Sequence, residues 1–166
     1  MKSIRHVNNF ALVALIIATN IFGLSKVNAQ EKGRDVSQYN LQRGLGLKGY
    51  DPVSYFVEGG GQPALGIESY RLEYMGVTYL FSSAAHLDLF VENPEKYEPT
   101  YGGWCAYAMA SGSKVDIKPL IYTINGNRLH FFVSNRAKSN FDVDVAGHEA
   151  RADGFWKQIS GEDPRK

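Results

Sequence analysis

The sequence holds a single cysteine, Cys105, among 166 residues. One thiol cannot bridge within its own chain, so the fold must stand without disulfide staples. Cys105 is a buried apolar residue, a reactive thiol, a metal ligand or half of an intermolecular bridge. No sign of charge dominates: 18 basic residues stand against 17 acidic ones. No basic stripe is present, which argues against a nucleic-acid partner and gives no electrostatic reason to bind anionic lipid. No apolar run reaches the ~20 residues that span a bilayer as a helix. A Gly-rich phosphate loop, a Ser-His-Asp signature, His-x-x-x-His spacing and a paired-carboxylate motif are all missing. Nothing in the residues therefore assigns a catalytic activity, and the reading leans away from an enzyme.

What is present begins with the N-terminus. Lys2 and Arg5 precede an apolar run over residues 10–24, and Val27-Asn28-Ala29 follows. Basic, apolar and small-residue segments in that order predict a secretion signal over residues 1–29, cleaved after Ala29. Removing Lys2, Arg5 and Lys26 leaves 15 basic residues against 17 acidic ones. The expectation is an exported protein, periplasmic or secreted, with no stable membrane anchor once the signal is cut. Residues 30–44 read as a flexible lead-in and residues 45–162 as one domain. Its 10 tyrosines, 9 phenylalanines and 2 tryptophans suit a core that has no bridges.

Within that domain, Asp51-Pro52 reads as the capped start of a short helix over residues 53–57. Residues 67–74 and 77–81 flank Met75-Gly76 and predict a β-hairpin. Ser83 caps a helix to about Glu92, with Leu87, Phe90 and Val91 on one face. Asn93-Pro94 stops it. Gly102-Gly103 leads to a short helix over residues 104–110. Residues 121–124 and 129–133 flank Asn125-Gly126, a strong hairpin signal. Asn135 is read as the cap of a helix to about Phe141, and a last helix runs over residues 145–159.

The two halves read as repeats of one helix–hairpin–helix unit. Gly49-Tyr50 is matched by Gly103-Trp104, Gly76 by Gly126, Phe81 by Phe131, and Phe90 by Phe141 with one inserted residue. The expected fold is α+β, with two β-hairpins forming an antiparallel sheet and helices packed on it.

Asp51-Pro52-Val53, Tyr79-x-Phe81-x-Ser83, Phe90 and Pro94-x-x-Tyr97 resemble the YHS domain over about residues 49–101. Gly49 to Val53, Gly102 to Ala106 and Ala146-Gly147-His148 extend the resemblance to the exported bacterial branch of that family. The resemblance implies a metal-binding module whose cysteines follow Asp-Pro-Val and flank the Ser of the aromatic motif. This chain carries Ser54, Ser82 and His86 at those places, so the thiolate cluster is absent. Hydroxyls are poor ligands for zinc or copper(I).

The candidate site residues follow from both readings. Cys105 shares a small apolar face with Ala108, Met109 and Gly112, which suits a buried inert thiol. It also lies near a helix N-terminus, a setting that favours a thiolate, and next to Met109 it would suit copper. His148 shares a face with Ala152, Phe155, Trp156 and Ile159, so it is expected to look inward. It is either a structural histidine, or a ligand or base near Cys105. His86 is either a surface residue or an imidazole in place of a family cysteine. His130 alternates with Leu129 and Phe131 and is expected on the solvent side. Tyr50, Tyr101 and Trp104 would line a pocket at the two Gly-aromatic turns, unless they are core residues. Asp51, the fourth pocket candidate, is most simply a helix cap. The expected partner is a small ligand or a transition-metal ion such as copper, held without turnover. A thiol-dependent enzyme or redox factor using Cys105 with His148, and a structural or interaction module, are the alternatives.

Overall fold

A computed structural model describes residues 34–165. The expected signal over residues 1–29 lies outside the described residues. The first hairpin pairs β1 (Ile67–Tyr74) with β2 (Val77–Phe81), and the second pairs β3 (Lys118–Asn125) with β4 (Arg128–Phe132). Each follows from β-prone alternation around a two-residue turn. Met75 and Gly76 both adopt positive φ, +48° and +82°, as a turn matched to strand twist requires. In the second turn only Gly126 does, at +62°.

Helix α1 (Ala84–Glu92) starts where the Ser83 side chain accepts from the His86 N–H, and α2 (Pro94–Tyr97) follows it. Helix α3 (Ala106–Met109) is a single turn. Helix α4 (Asn135–Asp142) is capped by Ser134, one residue before the expected Asn135. Helix α5 (Val145–Ser160) is capped by Asp144. The segment expected as one short helix over residues 53–57 forms two 3₁₀ turns, Val53–Tyr55 and Val57–Gly59.

The class is α+β, with helices packed against two antiparallel hairpins. The hairpins do not join: each is its own two-stranded sheet. A lone hairpin is marginal in water, so each depends on what covers it. Phe90 of α1 lies against Tyr79 and Phe81 of β2, with ring centroids 5.1 Å apart in both cases. Phe141 of α4 lies against Phe132 of β4 at 5.2 Å. Tyr55 joins the halves, edge-on to Phe131 and Tyr122. Such edge contacts add about 0.5–1.5 kcal/mol each beyond area burial.

The halves correspond closely. Both hairpins, their shared bulge, both capping serines and both helix phenylalanines stand 51 residues apart. From the first hairpin onward the offset holds with no inserted residue, so Phe81 corresponds to Phe132 and not to Phe131. Each half also opens on a left-handed turn: Leu47, Lys48 and Gly49 in one, Tyr101, Gly102 and Gly103 in the other, all at positive φ. Left-handed Leu47 and Tyr101 cost of order 1 kcal/mol apiece, offset by burying both side chains.

The lead-in is not loose from residue 34 onward. Arg34 donates to Glu98 at 2.7 and 2.8 Å, the Asn40 N–H donates to Gly102 O, and Tyr39 is packed edge-on to Trp156. Arg165 donates to the same Glu98 at 2.9 Å, as does the Tyr79 hydroxyl. One buried carboxylate thus holds residues from near both limits of the described chain.

Candidate functional site

Asp51 is fully buried, yet it is well partnered. Its Oδ1 accepts from the Val53 N–H at 2.9 Å, the local cap that the sequence suggested. Its Oδ2 reaches much further along the chain. It accepts from the Ser82 N–H at 2.9 Å, from the Ser82 hydroxyl at 2.7 Å and from His86 Nδ1 at 2.5 Å. The left-handed turn aims Asp51 inward, the end of β2 delivers Ser82, and the first turn of α1 delivers His86. Ser54 completes the group: its hydroxyl donates to Asp51 O and accepts from the Ala64 N–H. The three places to which the family resemblance assigns cysteines therefore meet around Asp51.

An ionised carboxylate accepts only, so the proton on the His86 side facing Asp51 sits on Nδ1. That leaves Nε2 as the lone-pair nitrogen. It has no hydrogen-bond partner among the described residues, and the side chain is 18% exposed. An imidazole held by a buried carboxylate, with its other nitrogen free, is the arrangement of an oriented ligand or base. It is not a nucleophilic triad. Ser82 lies 3.1 Å from Nδ1, the nitrogen already facing Asp51, whereas a triad serine must face Nε2.

These residues do not fit a closed transition-metal site. The hydroxyls of Ser54 and Ser82 are committed to Asp51 and to the backbone, and only one imidazole nitrogen remains free. Among the described residues, no group of three or more His, Cys, Asp and Glu side chains could hold a metal ion.

The other candidates are placed differently. Cys105 is wholly buried, its N–H bonded to Val115 O and its backbone bridged to Phe131. It precedes a helix of only one turn. His148 lies half-buried at the margin of α5, between Tyr107 and Phe141, and its Nδ1 donates to Asp144 O at 2.7 Å. The buried positions of α5 are Ala152 and Trp156, while Phe155 is 37% exposed. The helix is thus rotated from the expected face, and Glu149 points at the second hairpin. Cys105, His148 and His86 do not form one ligand set.

The aromatic candidates each have partners of their own. Trp104 Nε1 donates to Gln38 O at 2.6 Å, and the Tyr101 hydroxyl donates to Asp153 at 2.8 Å. Tyr50 forms a backbone bridge with Leu65. A cavity of about 380 Å³ lies elsewhere, among Glu95, Glu162, Asp163, Pro164 and Arg165.

His130 corrects a simple alternation. It is fully buried, because β4 is covered on both faces. Its Nε2 lies 2.7 Å from Glu149 and its Nδ1 lies 2.6 Å from the Thr100 hydroxyl. Its ring stacks on Tyr101. Burial pushes the His130 imidazole below its ordinary value, against the pull of Glu149. Burial raises the Glu149 carboxyl, but hydrogen bonds from His130 and Asn125 and the charge of Arg128 outweigh it and hold it low. Arg128 and Asp153 complete the cluster.

The 51-residue correspondence explains several of these placements. Tyr79 bonded to Glu98 matches His130 bonded to Glu149. Tyr97 stacked on Phe90 matches His148 on Phe141, both pairs at 30°. At the left-handed turns the first partner is shifted by three more residues: Asp51 bonded to Ala64 O matches Cys105, 54 residues on, bonded to Val115 O. Cys105 and His148 thus stand where the first half has a buried hub and a packing tyrosine. Aligning the halves on their capping serines was the available signal for this. The chain was compared with family models, with curated proteins and with solved structures, and matches none.

Proposed function

We propose that this chain is an exported, non-catalytic binding protein of the YHS kind, and that it meets its ligand through Nε2 of His86. The observation that carries the reading is the Asp51–His86 contact at 2.5 Å. It fixes the ring and leaves one unshared nitrogen at a partly exposed position. A buried carboxylate behind an imidazole raises its donor strength, as outer-shell partners of ligating histidines do. The ligand class this suits is a small electrophilic species, foremost a transition-metal ion such as copper. An ion there would take its remaining ligands from outside the chain, since Ser54 and Ser82 are engaged. The sealed Cys105 lends no support to a thiol-dependent enzyme.

The test is titration of the chain over residues 30–166 with copper(II), read by the side-chain nitrogen resonances of its histidines. The expected result is that the His86 signal responds first, that His86→Gln abolishes the response, and that Cys105→Ala leaves it unchanged. Undiminished binding by His86→Gln, or no uptake at all by the parent chain, would overturn the reading.

A further inference from the structure

Asn125 ends β3, directly before the turn Gly126-Asn127. All three residues are exposed. A Cβ placed on Gly126 would meet no atom within 4 Å, so the turn is open to solvent. The Gly126 N–H stands outside the strand ladder and has no hydrogen-bond partner among the described residues. The Asn125 side chain, in contrast, is engaged. Its Nδ2 donates at 3.0 Å to Glu149 Oε1, the oxygen that also faces His130 Nε2 at 2.7 Å. Arg128 lies 3.5 Å from the other Glu149 oxygen.

We infer that Asn125 is a self-modification site. It deamidates through the Gly126 nitrogen, and the acid so formed loosens the contact between the second hairpin and α5. The chemistry needs only water. The Gly126 nitrogen loses its proton to solvent and bonds to Asn125 Cγ, closing a five-membered imide. The Cγ–Nδ2 bond breaks, and the Nδ2 amino group takes up one proton from solvent and leaves as ammonia. One water molecule then opens the imide at either carbonyl, which yields aspartate or isoaspartate at position 125. The attacking nitrogen has no hydrogen bond to break, and no side chain on Gly126 blocks its approach.

The consequence follows from where the amide points. A carboxylate oxygen replaces a donor 3.0 Å from Glu149 Oε1, so two acceptors face each other with no proton between them. The tie from β3 to α5 turns from attractive to repulsive, while Arg128, Asp153 and Tyr101 still hold the neighbouring turn of α5. Isoaspartate adds a backbone atom next to a two-residue turn, whose length sets the hairpin register.

The folded chain over residues 30–166 would be incubated at neutral pH beside an unfolded peptide spanning position 125, and both followed by peptide mass spectrometry. Asn125 is expected to convert at a rate comparable with the peptide, while Asn127, followed by Arg128, stays intact. Asn125→Asp, made directly, is expected to lower the melting temperature by about 3 °C. That loss should shrink in an Glu149→Gln background, where one of the facing charges is gone. Survival of Asn125 after the peptide has converted, or an Asn125→Asp chain that melts with the parent, would overturn the inference.

Discussion

Asp51→Asn tests the site most directly, because it changes one atom of a buried hub. The carboxylate accepts four hydrogen bonds. The Asn side chain keeps one accepting oxygen and replaces the other with a donating NH₂ group. If its oxygen stays on Val53, the NH₂ group faces three former donors. The Ser82 hydroxyl can rotate to accept. His86 can shift its proton to Nε2 and accept at Nδ1. The Ser82 N–H can do neither, and a buried donor left without a partner costs about 1–3 kcal/mol. With the loss of a charge-assisted bond, the total comes to about 2–3 kcal/mol. For a domain of this size that corresponds to a melting temperature lower by roughly 8 °C. The chemical signature is separate from the stability loss: the His86 proton moves to Nε2, and the free lone-pair nitrogen is lost. Thermal unfolding and long-range proton–nitrogen spectra of the histidines read the two effects independently. A variant that melts within about 1 °C of the parent, or one in which His86 keeps its Nδ1 proton, would refute the reasoning.

Three further outcomes are expected. Cys105 should resist small alkylating reagents in the native chain and react only with denaturant present; labelling of native protein would show that the thiol opens to solvent. Stability should fall as pH drops below about 6.5, because the unfolded chain then takes up a proton that buried His130 resists, and fall again below about 4.5 as Glu149 protonates. His130→Gln should remove the first of these steps, as read by denaturant melts across pH. Glu98→Gln should cost about 3 kcal/mol, since it removes the buried carboxylate that Arg34 and Arg165 share and leaves Glu162 as the carboxylate beside them. Limited proteolysis should then clip both chain ends sooner; unchanged cutting would contradict the shared clamp.

Local order alone determined a good deal about this protein. Met75-Gly76 and Asn125-Gly126 placed both hairpins, Ser83 marked the start of α1, and Asn93-Pro94 its end. These signals act between neighbours, where backbone geometry and capping operate. A likeness between the two halves was also legible, though the glycines occupy different positions in the two turns and displaced the alignment by one residue. Only the tertiary structure decided the chemistry. Asp51 was legible as a local cap through Val53, but not as the hub for Ser82 and His86, which lie 31 and 35 residues away. His130 was placed outside because alternation assumes one wet face, and the packing of Phe141 and Glu149 against β4 leaves none. Arg34 seemed part of a loose leader because its partner, Glu98, lies 64 residues on. Burial and pairing at such separations belong to the packed whole, and no window of neighbouring residues contains them.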